Sequence, residues 1–345
     1  MQPLKLGVYP TPVRALTPLW THEAELFLKD DGTTHPEFGG NKVRKLEGIL
    51  ERARAKGAQR LVTLGAAGSH QAVATGLFAK KLGLKAACVL CPRPWSPLAY
   101  HMLRATLAQG VEIHTVEHGW QLPITAAKIH QRGDYVVPLG STNVRGTRGY
   151  VSAAHELKAQ VDAGELPPPD VIVVALGSGG TTAGLVAGVA SAGLASLVLG
   201  VTIVQLGPVT RPWLLGLAHQ ALHREDKVGL SELSRRLVIE DRFLGAGYGR
   251  ATVAGERAFD VALGQGLQLD LTYTAKAFAV ALRLLDHPSL HGMRHPAPCP
   301  EIPRPEGRPL RVLYWHTLSS APLHLISEGA PDILPDKLNR LLVAS

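Results

Sequence analysis

Residues 171–210 carry no charged side chain, a longer uncharged run than the about 20 apolar residues that cross a bilayer. Eight glycines interrupt it, and it divides into VIVVAL, a GSGGTT turn, a helix of small residues and SLVLGVTIV. A strand, a glycine turn, a buried helix and a second strand, all without charge, fit a parallel sheet covered on both faces. A membrane span does not fit that division.

The rest of the chain repeats the alternation. Short apolar runs at 60–65, 85–91, 111–116, 134–140, 171–176, 196–204 and 311–317 predict strands, with helix-length patterns such as QAVATGLFAKKLG and YVSAAHELKAQVDAG between them. This spacing argues for an α/β fold with a mostly parallel, open sheet. VDAGELPPPD, at about residues 161–170, holds three consecutive prolines and predicts a boundary. The stretch 287–309 is rich in proline and predicts a long surface loop.

Composition narrows the function. Lys+Arg 36 against Asp+Glu 28 gives +8, which favours a small anionic ligand. The basic residues are scattered and aromatics are only 5%, so a nucleic-acid platform is not expected. The opening MQPLKLGVYPTPVRAL has prolines where a signal peptide needs an apolar core, so no secretory segment is expected. Three cysteines, Cys88, Cys91 and Cys299, are too few for a disulfide scaffold and fit a reducing, cytoplasmic setting.

Two constellations carry chemistry. GSGGTT (177–182) follows an apolar strand and opens a helix. Closely spaced glycines let backbone N–H groups approach an anion, and a helix N-terminus adds partial positive charge. Ser178, Thr181 and Thr182 add hydroxyl donors. It is neither a Walker loop nor the dinucleotide fingerprint, and the glycines alone would equally make a tight turn. In PEFGGNKVRKLE (36–47), two glycines and an asparagine precede a helix that starts with Lys42 and Lys45. Three positions apart, these lysines share a face and disfavour each other's protonation, and a lysine of lowered pKa is a nucleophile. Solvated basic residues are the plainer alternative. Cys88 and Cys91 form a lone CxxC in a strand and read as incidental thiols. His287, His291, His295 and Cys299 have four-residue spacing, but the prolines among them forbid a helix, so no metal site is expected.

GGNKVRKLE, GAAGSHQA, GSGGTT, GAGYG and LDLTYTAKA occur in this order. Together they resemble the pyridoxal-phosphate family that contains 1-aminocyclopropane-1-carboxylate deaminase and D-cysteine desulfhydrase, within the tryptophan-synthase-β-like fold (PLP fold type II). The resemblance spans roughly residues 8–325. It implies two open, mostly parallel twisted sheets flanked by helices: a large domain from 1–50 and 161–345, a small inserted α/β domain from 51–160, and pyridoxal 5'-phosphate between them. By the same resemblance Lys42 would hold the cofactor covalently. Gly177, Ser178, Gly179, Gly180 and Thr181 would cradle its phosphate, and Asn41, His70, Thr274 and Thr317 would line its ring. Tyr248 and Tyr273 match two tyrosines that flank the substrate, and Ser69 matches a serine used for carboxylate binding or proton handling.

Three departures stand out. The family reads Ser-Asn followed by His or Gln where this chain has Ser69-His70-Gln71, and HTGG becomes HTLSS at 316–320. The deaminase branch carries Glu after the second tyrosine and Leu after the late histidine; Thr274 and Thr317 stand here, which resembles the desulfhydrase branch. The implied activity is β-elimination from a small amino acid, D-cysteine desulfhydrase-like, giving pyruvate, ammonia and sulfide in a cytoplasmic homodimer. A cyclopropane-opening deaminase, an amino-acid racemase, a nucleotide-dependent oxidoreductase and a non-catalytic binder remain the alternatives.

Overall fold

The computed structural model describes residues 4–285 and 302–343. Two open sheets form the frame. The larger has six strands in the spatial order β1 (Val13–Ala15), β2 (Ala24–Asp30), β11 (Leu310–His316), β8 (Val171–Leu176), β9 (Leu197–Thr202) and β10 (Leu237–Glu240). All neighbours are parallel except β1 and β2. The smaller has four parallel strands in the order β6 (Glu112–Thr115), β4 (Lys85–Cys91), β3 (Arg60–Ala66) and β7 (Asp134–Val137). A short parallel pair joins β5 (Arg93–Pro94) to β12 (Leu342–Val343), near the end of the chain.

Helices cover both sheets: α1 (Asn41–Ala55), α2 (His70–Lys81), α3 (Pro97–Ala108), α4 (Leu122–Lys128), α5 (Val144–Asp162), α6 (Gly180–Ser191), α7 (Thr210–Ala221), α8 (Leu230–Arg236), α9 (Val253–Leu263) and α10 (Thr274–Leu284). The uncharged stretch is the hub of the larger sheet, as β8, α6 and β9 in succession. Residues 180–189 of α6 are buried on every side, which is why the helix shows no polar face. Its small residues bring α5 close: a Cβ on Gly184 would lie 2.4 Å from the carbonyl oxygen of Thr147. The α1 residues Val43, Leu46, Ile49 and Leu50 pack in one apolar cluster with α2, α3 and the four-stranded sheet. Tyr150, Val151 and Leu157 of α5 pack instead under the six-stranded sheet.

The seven expected strands are present, trimmed by a residue or more at several ends. β1, β2, β5, β10 and β12 are strands that the apolar pattern does not predict. β2 reads AELFLKD, with Lys29 inside the sheet, and a buried lysine interrupts the apolar signal of a central strand. The proline-rich loop falls mostly outside the described residues, as do His287, His291, His295 and Cys299. The described part, 302–309, has neither helix nor strand.

Candidate active site

Both sheets point their carboxyl ends at one cavity of about 370 Å³, where open α/β sheets place ligands and large enough for a small one. β8 runs out into Gly177, β11 into Thr317, and β3 into the turn that carries Ser69.

The lysine helix enters through a strained turn. Gly40 has φ +89°, and a Cβ there would fall 2.5 Å from the Thr317 carbonyl oxygen. Only glycine fits both demands. The Asn41 N–H donates to that same oxygen at 3.1 Å, and the Gly39 N–H donates to the Ser319 hydroxyl at 2.9 Å. Ser319, one of the departures from HTGG, thus ties down the glycine turn that launches α1.

Lys42 lies in the first turn of α1 and faces the cavity half-buried; burial lowers its pKa to about 8. Lys45, three residues on, is almost fully buried. It donates to Thr142 Oγ1 at 2.9 Å, and Thr142 shares a 2.7 Å hydrogen bond with Ser178. Burial, and secondarily the charge of Lys42, hold Lys45 well below the usual lysine range. The mutual effect expected from their spacing therefore acts on Lys45, whereas burial accounts for Lys42.

Opposite α1, Gly179 caps α6 and Gly180 begins it. The Asn41 side-chain amide donates to Thr181 Oγ1 at 3.3 Å. Thr182 Oγ1 is buried without a partner. Backbone N–H groups at the start of α6, the Ser178 hydroxyl and the Lys45 amine converge on one corner.

The other walls are aromatic and polar. Ser69 caps α2 by accepting from the Gln71 N–H at 3.1 Å. The His70 ring lies near-parallel to Phe38 at 6.1 Å and edge-on to Tyr273 at 6.3 Å, with Nε2 buried and unpartnered. Burial pushes its pKa down to about 4, Lys42 and Arg93 add to that, and Asp270 opposes it. The hydroxyls of Tyr248 and Tyr273 are 2.6 Å apart. Asp270 accepts from the Thr272 N–H at 2.9 Å, the Tyr273 N–H at 2.7 Å and the Thr274 hydroxyl at 2.7 Å. The Thr274 proton is therefore committed to a carboxylate.

Asn41, Lys42, Ser69, His70, Gly177, Ser178, Gly179, Thr181, Tyr248, Tyr273, Thr274 and Thr317 all line this cavity. Gly180 sits just behind its wall, its Cβ direction 2.8 Å from Lys45 Nζ. Cavity residues missed in the sequence are Lys45 as a donor at the glycine loop, Asp270, and Cys91, which lines the wall although it was set aside as incidental. The Asp270 signal was present, since an aspartate commonly accepts from the backbone N–H two residues on to make a turn, as it does here from Thr272. Among the described residues no group of His, Cys, Asp or Glu is arranged to hold a metal, and no helix is long and apolar enough to cross a membrane.

The residues fit a phosphate-bearing aldehyde. A lysine of lowered pKa stands ready for the carbonyl carbon. A glycine turn supplies N–H donors with no side chain in the way, and a buried amine beside it regains its charge when an anion arrives. The two-sheet fold and this site together define an enzyme class that holds such a cofactor between its sheets.

Comparison with known proteins agrees. The family model described as pyridoxal-phosphate dependent enzyme matches residues 4–293. A Pyrococcus horikoshii protein provisionally named a 1-aminocyclopropane-1-carboxylate deaminase is 34% identical over 264 residues, covering 74% of this chain and 78% of its own. The D-cysteine desulfhydrase of Klebsiella pneumoniae is 31% identical over 289 residues, 80% of this chain and 86% of its own. The crystal structure of an ACC deaminase homologue superposes with a TM-score of 0.74 at 29% identity, over 98% of this chain and 96% of that one. The chain belongs to the pyridoxal-phosphate-dependent enzyme family, and its cofactor is pyridoxal 5'-phosphate.

Proposed function

We propose that this enzyme is a lyase that eliminates a β-substituent from a small amino acid, in the manner of a D-cysteine desulfhydrase. Lys42 is the covalent holder of the cofactor. Gly177, Ser178, Gly179, Gly180 and Thr181 bind its phosphate with Lys45, while Asn41, His70, Thr274 and Thr317 surround its ring. When bound, the cofactor supplies an electron sink for the pair left behind as the substrate loses its α-proton. The protein's part is to bind, orient and move protons. Lys42 Nζ, neutral for a useful fraction of molecules near pH 8, accepts a proton. Ser69 and the N-terminus of α2 take the substrate carboxylate, and Tyr248 and Tyr273 flank the substrate. A homodimer in the cytoplasm completes the reading.

One observation carries it: Lys42, Lys45 and Ser178 line the same cavity, and Thr142 links the Lys45 amine to the Ser178 hydroxyl of the glycine turn. Support for elimination over cyclopropane opening comes from Thr274, a neutral residue whose proton is held by Asp270. Borohydride reduction of the holoenzyme followed by peptide mapping is expected to leave the pyridoxyl group on Lys42; an adduct on Lys45 or Lys276 sinks the assignment. Assays of D-cysteine, L-cysteine, β-chloro-D-alanine and 1-aminocyclopropane-1-carboxylate are expected to give pyruvate chiefly from D-cysteine and β-chloro-D-alanine. Pyruvate chiefly from the cyclopropane would falsify the desulfhydrase reading.

A further inference from the structure

Arg93 lies in β5, immediately after the cavity-lining Cys91 and Pro92, and its side chain is 95% buried (5% exposed). Nη2 donates to Thr272 Oγ1 at 3.0 Å. The guanidinium carbon stands over the ring of Tyr248, 5.4 Å from its centre, and Nε is buried without a partner. Among the described residues no carboxylate pairs with it at ion-pair distance. A buried cation without a counter-charge is costly unless something nearby gains from it. The π face of Tyr248 repays part of that cost, and the rest of the field falls on what Tyr248 touches. That is the Tyr273 hydroxyl, 2.6 Å from its own.

We propose that Arg93 is a positioning residue that acts through Tyr248: it holds the Tyr248–Tyr273 hydroxyl pair in place and makes the pair a stronger proton donor to the departing β-substituent. This rests on the elimination reading above. For a thiol substrate, the Cβ–S bond breaks with its electron pair on sulfur, and sulfur takes the proton of the hydroxyl pair. The electrons of the former Cα–H bond form the new double bond, and the pair recovers a proton from water. Burial raises Tyr273 well above the usual tyrosine range, Arg93 being the opposing influence. The charged and titratable groups facing the pair are Arg93 from β5, His70 from α2, Lys42 from α1, Asp270 from the turn before α10, and Lys276 of α10. Lys276 donates to the carbonyls of Leu244 and Gly247 in the loop that carries Tyr248. Of these, Arg93 is the one seated over the ring of Tyr248, whereas His70 packs against Tyr273.

A donor to the leaving group matters in proportion to that group's need for a proton. Arg93→Gln is therefore expected to lower kcat with D-cysteine about tenfold and with β-chloro-D-alanine less than about twofold, because chloride departs unprotonated. KM should stay nearly constant for both, and Arg93→Lys should recover part of the D-cysteine rate. Equal losses on the two substrates, or no loss, overturn the proposal. An unfolding cycle of Arg93→Gln, Tyr248→Leu and the double variant reads the contact without any turnover. Strong coupling is expected, and additivity also overturns the proposal. Should the unaltered enzyme make pyruvate from neither substrate, the elimination reading and the donor role fall together, while the cycle still decides whether Arg93 grips Tyr248.

Discussion

The two sides of α1 treat charge in opposite ways. On the side away from the cavity, Arg44 is locked into a closed network. Asp31 accepts from Arg44 at 2.9 and 3.0 Å, from the Tyr150 hydroxyl at 2.7 Å, from the Trp315 indole at 2.8 Å and from Thr11 at 3.0 Å. Glu156 binds both Arg44 and Lys29. Two cations meet two anions, and strands β2 and β11 are tied to α1 and α5. On the cavity side, the same helix presents Lys42 and Lys45 with no carboxylate paired to them among the described residues, opposite unpartnered atoms of His70 and Thr182. A satisfied network holds a frame still; an unsatisfied one waits for a ligand. The Gly40 turn and Arg44 fix α1 so that Lys42 and Lys45 stay aimed at the cavity.

If that contrast is right, cutting the closed side should hurt stability most. Asp31→Ala leaves Tyr150 and Trp315 without their acceptor and leaves Arg44 and Lys29 to share Glu156 alone, and breaking a buried ion pair costs about 3–5 kcal/mol. Denaturant unfolding should record a loss of that size. A loss below about 1 kcal/mol, the range of an exposed pair, would mean that the network does not brace the helix.

The open side should yield ligand affinity instead. Lys45→Met removes the buried donor at the glycine cradle, and a hydrogen bond to a charged group is worth about 1.5–3 kcal/mol. Cofactor affinity, followed by equilibrium dialysis, should weaken accordingly, while the reduced adduct still maps to Lys42. Unchanged occupancy would place the phosphate elsewhere.

The smallest expected effect belongs to His70 and appears only in acid. Its folded pKa is about 4, below the ordinary value near 6.5, so the unfolded chain binds a proton that the folded one refuses. Stability contributed by the neutral ring is complete above pH 6.5 and is lost as pH falls from about 6.5 to 4. His70→Asn should remove on the order of 1–2 kcal/mol of acid sensitivity between about pH 6.5 and 5, seen as a flatter curve of unfolding free energy against pH. Parallel curves would show that the ring takes up its proton without cost.

Much of the site was legible because its chemistry is local. A glycine turn after an apolar strand must present N–H groups, whichever sheet it joins, and GGN before a helix must aim that helix's first side chains outward from a tight turn. What could not be read was which distant residues meet there. Lys45 was visible as a neighbour of Lys42, but its contact with Thr142 spans 97 positions. Ser319 looked like a lost glycine until its hydroxyl was found holding Gly39, 280 residues away. Arg93 gave no signal at all, since a single arginine after a strand is ordinary and its position over Tyr248 depends on β5 and a distant loop that come together only in the folded chain.

By itself, then, the sequence determined the alternation of strands and helices, the burial of the uncharged elements β8, α6 and β9 and the two local turns proposed to hold the cofactor, because periodicity, charge and backbone freedom act over a few residues. The tertiary structure alone decided that Asp31, Arg44 and Glu156 close into a network, that His70 and Arg93 keep buried nitrogens unpaired, and that Lys42 and Lys45 stand on the open side of their helix. Those outcomes turn on desolvation and on partners brought from far along the chain, and neither exists until the two sheets have met.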